Sequence, residues 1–162
     1  GFRWSDLSAG GIDWRAVGAF SAVTFVCALG VALATTPGGD VLAFARNQWP
    51  LLIMIVVLYP VLSALPQELV FRPLFFRRYC AILPGGWAGI VLNAALFSFA
   101  HLMYWSAIVA GMTFFGGLAF AWAYARRGSF PMAVVMHALA GQIVFALGLG
   151  LFFYSGNVVR PF

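Results

Sequence analysis

Four side chains inside the apolar body of this chain are able to do acid–base chemistry: Glu68, Arg72, His101 and His137. The other acids, Asp6, Asp13 and Asp40, fall in the N-terminal segment or the first loop, and the chain holds 2 histidines in all. A charge at mid-bilayer costs about 2.5–3.5 kcal/mol, so Glu68 asks for a partner or a function. Arg72 is placed to be that partner. Four residues on, it shares a helix face with the carboxylate, in the order that favours the pair. An isolated pair of this kind does no more than fix helix packing. Two imidazoles in the same apolar surroundings add chemistry, because peptide-bond hydrolysis needs a base to activate water and donors to hold the oxyanion. Residue types alone leave other routes open. Two histidines and a glutamate match a zinc ligand set in type, although HExxH spacing is absent. A serine route has little support, since no GxSxG elbow occurs and Ser98 and Ser106 lack a relay partner.

The elements that must position these groups are helices in lipid. Of 162 residues, 64% are hydrophobic and 8% charged, with a mean hydropathy of +0.98. Such a chain has too few charges to cover a water-soluble fold. Its net charge of +5 comes from arginine alone, set in short connections between apolar runs. That is the distribution of a membrane topology signal and not of a nucleic-acid surface, which would cluster its cations on one face. Five runs approach the roughly 20 residues a span requires, near 15–35, 49–72, 87–105, 106–126 and 130–154. The fold class is therefore all-α: a polytopic transmembrane helix bundle, one membrane-embedded domain over 1–162, with a short surface helix before Gln48. The first run is expected to be a span and not a cleaved signal, since it follows a polar, glycine-rich start and is long enough to cross. Cys27 and Cys80 lack partner spacing and read as inert.

Under this arrangement Arg3, Arg15, Arg77, Arg78, Arg126 and Arg127 share one side, with Arg46 and Arg160 opposite, which places the N-terminus in the cytoplasm. Trp4, Trp14, Trp49, Trp87 and Trp105 lie near span ends, where aromatic anchors sit. Pro60, Pro66 and Pro73 bracket Glu68 and predict a bent helix there. A rise of 1.5 Å per residue puts Glu68, His137 and His101 about 13, 12 and 21 Å from the cytoplasmic edge. Glu68 and His137 are then level, while His101 needs a tilt or a later helix start to meet them.

In the segments GlnGluLeuValPheArg (67–72) and PheSerPheAlaHis (97–101), and around His137, the sequence resembles the CPBP family, the CAAX prenyl proteases and bacteriocin-processing enzymes, also called the ABI family. That family carries EExxxR, FxxxH and HxxxN on successive membrane helices, and the resemblance covers roughly 50–154. It implies a glutamate-type intramembrane endopeptidase acting on a membrane-associated peptide or protein, without a cofactor or metal. His101 would help activate water and His137 would hold the oxyanion. Two positions depart from the pattern. Gln67 stands where the first glutamate belongs, and Gly141 where the asparagine belongs, with Gln142 the nearest amide. A carboxamide takes no proton from water at neutral pH, so Glu68 becomes the expected base, oriented by Arg72. The alternatives are a catalytically degenerate member serving as a membrane scaffold or immunity factor, and a zinc-dependent membrane hydrolase.

Overall fold

A computed structural model of the chain describes residues 4–36, 38–154 and 156. Among the described residues there is no β-strand. Every apolar run is helical, as backbone groups deprived of water must be. Helix α1 runs Trp14–Thr35 and α2, the short surface helix, Ala43–Asn47. Helix α3 covers Trp49–Arg78. Helices α4, α5 and α6 cover Gly86–Phe99, Ala107–Ala125 and Phe130–Ala146. Four helical stretches, Trp14–Thr35, Trp49–Arg78, Gly86–Tyr104 and Ala107–Ala125, are long and apolar enough to cross a bilayer, so the fold is an all-α polytopic bundle.

Three boundaries differ from the sequence reading: α4 ends at Phe99 instead of near 105, which leaves His101 in the turn that follows, and two others shift as well. Helix α3 continues to Arg78 because nothing after residue 72 stops it before the turn near Pro84. Helix α6 ends at Ala146 instead of near 154, giving 17 residues, or about 25 Å of rise. Gly148 takes φ +76° and closes the helix end, with the N–H of Leu147 on Ile143 O and that of Gly148 on Phe145 O. A 3₁₀ stretch, Leu149–Phe153, follows.

The prolines of α3 are absorbed without a break. Proline removes a backbone donor and crowds the carbonyl four residues back, which a wider turn relieves. The helix opens into π turns at Pro60–Ala64 and Val70–Leu74. There the N–H of Leu65 reaches Pro60 O and that of Phe75 reaches Val70 O, each five residues back. Glu68 lies on the α-helical stretch Leu65–Leu69 between them.

Helix α6 is the central element, packed against α5, α1 and α3. Val17, Phe97, Phe120, Met132 and Met136 form one core cluster, and Ala28, Ala32, Val144, Leu147 and Leu149 a second. The outer face of α3 is apolar and open, with Val57, Val61 and Leu62 more than half exposed, as a lipid-facing surface should be. At one end of the bundle Arg77 pairs with Asp6 and Arg127 with Asp13, both at 2.6 Å, and Arg126 lies over the Trp87 ring. These contacts gather the N-terminal segment, the end of α3, the start of α4 and the end of α5 on the side where the arginine count put them. Arg46 pairs with Asp40 in the first loop. Arg3 and Arg160 lie outside the described residues.

Asp13 caps α1, its Oδ1 accepting from the N–H groups of Arg15 and Ala16 at 3.1 and 3.2 Å. Asp13→Ala should cost about 1 kcal/mol, most of it from the cap and little from the exposed tie to Arg127. A thermal midpoint in detergent that matches the wild type would contradict this.

Candidate active site

Glu68 and Arg72 project from α3 into the bundle and are fully enclosed, at 0% exposure. The guanidinium grips the carboxylate with two bonds, Nε to Oε2 at 2.7 Å and Nη2 to Oε1 at 3.2 Å. Its remaining terminal nitrogen, Nη1, donates to Asn93 Oδ1 on α4, and Asn93 Nδ2 in turn donates to Phe71 O at 2.8 Å. Phe97 and Phe120 lie 5.2 and 5.8 Å from the guanidinium carbon, so π faces complete its surroundings.

His137 on α6 meets the same acid. Its Nδ1 stands 2.9 Å from Glu68 Oε1, which bears out the equal depths read from the sequence. A carboxylate held by arginine accepts, so Nδ1–H is the donor of this bond. The Phe120 ring is stacked on the imidazole at 4.8 Å and 7°, and Phe97 meets it edge-on at 5.6 Å. On the far side of the imidazole, Nε2 faces the Tyr59 hydroxyl at 3.2 Å. Arg72, Glu68, His137 and Tyr59 therefore form one unbroken hydrogen-bonded line.

His101 stands apart from that line, in the turn after α4. Its Nδ1–H donates to Phe97 O at 2.7 Å, which leaves its Nε2 as an acceptor, and its ring packs 4.7 Å from Phe97. Both imidazoles thus rest on Phe97, and no direct bond joins His101 to Glu68. Gln67 is on the neighbouring face of α3, Nε2 donating to Ser63 Oγ at 2.9 Å. Its Oε1 is buried without a hydrogen-bond partner, an acceptor left open. Gln142 is turned away, Nε2 donating to Val56 O at 2.9 Å. Ser98 is tied to Ala110 O at 2.7 Å, and Ser106 caps α5. Among the described residues no three His, Cys, Asp or Glu side chains are grouped as metal ligands.

Three hydrogen bonds reach the Glu68 carboxylate, two on Oε1 and one on Oε2. The sequence reading missed two participants. Asn93 carried a readable signal, a carboxamide in the middle of an apolar run. Tyr59 carried none, because the contact spans 78 positions of sequence.

The profile of one family, described as Rce1-like, type II CAAX prenyl endopeptidase, matches residues 47–143, more than half of the chain. The match begins at the end of α2 and takes in α3, α4, α5 and most of α6, hence Gln67, Glu68, Arg72, His101 and His137. No curated protein and no solved structure matches.

Removing the cation while keeping the acid leaves a buried charge unanswered. Arg72→Met should destabilise the bundle by about 3–5 kcal/mol, and adding Glu68→Leu should recover part of that loss. Unfolding in mixed detergent measures both, and a single variant as stable as the wild type would refute the account.

Proposed function

The chain belongs to the Rce1-like family of type II CAAX prenyl endopeptidases, and on that footing we propose that it is an intramembrane endopeptidase whose water is activated by the Glu68–His137 pair. The observation that carries this reading is the bond from Glu68 Oε1 to His137 Nδ1. It fixes the tautomer and stabilises the imidazolium that forms when Nε2 takes a proton, as a carboxylate does behind any histidine base. Arg72 acts through Glu68, keeping it ionised and oriented. A water on Nε2 gives up its proton and its oxygen attacks the scissile carbonyl. The proton then passes to the departing amine. His101, its Nε2 likewise unprotonated, is the second imidazole of the site. Gln67 does not deprotonate water in this scheme; its open Oε1 accepts a hydrogen bond from water or from a substrate N–H.

The substrate is a membrane-associated peptide or protein, since the cluster lies between helices with lipid-facing outer surfaces. We place the chain in the cytoplasmic membrane, with the end carrying Arg15, Arg77, Arg78, Arg126 and Arg127 in the cytoplasm. Gln67 favours a second reading, a non-catalytic scaffold in which Glu68→Gln leaves biological function intact.

Purified protein in liposomes should cleave a membrane-embedded peptide. Glu68→Gln and His137→Ala should each lower kcat by about 10²-fold or more, the worth of a positioned base. Undiminished turnover in either folded variant would remove the mechanism. Topology is tested on the native cysteines, both exposed in the fold but Cys27 within α1. A membrane-impermeant maleimide should label Cys80, just past the end of α3, only after the cells are permeabilised. Labelling of intact cells would reverse the orientation.

A further inference from the structure

An oxyanion needs a donor; if Nδ1–H of His137 is committed to Glu68, as in the scheme above, the nearest hydroxyl is one from the facing helix. Positions 137, 141 and 145 of α6 follow one another at one-turn intervals along a single face. At the middle position glycine leaves a gap, and the phenol of Tyr59 fills it. A Cβ on Gly141 would lie 2.2 Å from Tyr59 Cε1, 2.4 Å from Cζ and 2.6 Å from Oη. The Tyr59 ring is set edge-on between the His137 ring, at 6.0 Å and 70°, and the Phe145 ring, at 5.8 Å and 66°. Its hydroxyl is thereby held at 3.2 Å from His137 Nε2.

We infer that the Tyr59 hydroxyl is the oxyanion donor of this site, reaching from α3 into the space that Gly141 leaves free. The inference rests on the peptidase reading above. A phenolic O–H rotates about its C–O bond, so its direction follows whichever acceptor is present. Before substrate binds, the hydroxyl donates to Nε2; once a substrate carbonyl is bound it turns to that oxygen, and the single lone pair of Nε2 is left to accept from water. As water attacks, its O–C bond forms, the carbonyl π pair moves onto oxygen, and the water proton goes to Nε2. The hydroxyl, already turned to the carbonyl oxygen, binds it more strongly as negative charge develops there. On collapse the oxygen pair re-forms the carbonyl and the C–N bond breaks. The proton on Nε2 goes to the amine nitrogen. Tyr59 keeps its own proton throughout, and no oxidant or reductant is required.

The test is turnover of a membrane-embedded reporter peptide by the full chain in liposomes, comparing wild type, His137→Ala, Tyr59→Phe and Tyr59→Ala with and without Gly141→Asn. Tyr59→Phe should lower kcat by about 10²-fold, the usual loss of one oxyanion donor, with KM within about twofold. Gly141→Asn should raise kcat of the Tyr59→Ala protein by roughly tenfold or more, because its amide donor enters the vacated space. Should Tyr59→Phe not hold its fold, Gly141→Ala, which displaces the ring and keeps the hydroxyl, is read in the same way. Wild-type kcat in Tyr59→Phe beside an inactive His137→Ala would overturn the tyrosine assignment alone. Wild type no faster than His137→Ala would overturn the peptidase reading, and this one with it.

Discussion

A carboxylate placed in hydrocarbon has to be answered from every direction, and the answers to Glu68 organise this bundle. Arg72 takes up both carboxylate oxygens from the same helix. The arginine, itself now desolvated, draws in Asn93 of α4 and the rings of Phe97 and Phe120 from α4 and α5. The acid's Oε1 also accepts from His137 of α6. One buried charge thus fixes the approach of four helices. In membranes, where apolar packing gains little over contact with lipid, polar contacts of this kind carry much of the specificity of assembly.

The same enclosure is graded along the hydrogen-bonded line. Glu68 and Arg72 are sealed, while His137 keeps 5% of its surface open and one nitrogen turned away from the acid. In the proposed scheme, charge held where water does not reach acts through an imidazole one bond further out. A low-dielectric interior strengthens the carboxylate–imidazole interaction beyond what the same pair would have in water. Proline placement serves this geometry. The π turns on either side of the Leu65–Leu69 stretch keep α3 continuous while accommodating residues that a regular helix rejects.

Much of this was legible in the sequence because lipid makes polar residues conspicuous. The Glu68–Arg72 spacing declared the ion pair, and the level of His137 followed from counting residues along helices. The rest depended on how faces rotate and pack, which depth alone does not give. His101, estimated as deeper, sits in a turn and leans on Phe97 instead of on the acid. The expected bend at the prolines is a pair of wide turns, and the fifth run stops early because Gly148 takes a left-handed conformation that residue types only permit. Gln67 and Gly141 stood out as departures. What occupies the space beside Gly141 depended on the contact between α3 and α6, and no local pattern near Tyr59 encodes it.

That contact also constrains how the site can change over descent. Tyr59 and residue 141 draw on a single volume, so their substitutions are epistatic. A side chain acquired first at 141 drives the phenol off His137; a tyrosine lost first leaves a void and strips Nε2 of its neighbour. Either single step disturbs the imidazole, and only the paired exchange conserves both packing and polarity. Glycine and tyrosine should therefore be inherited together or replaced together.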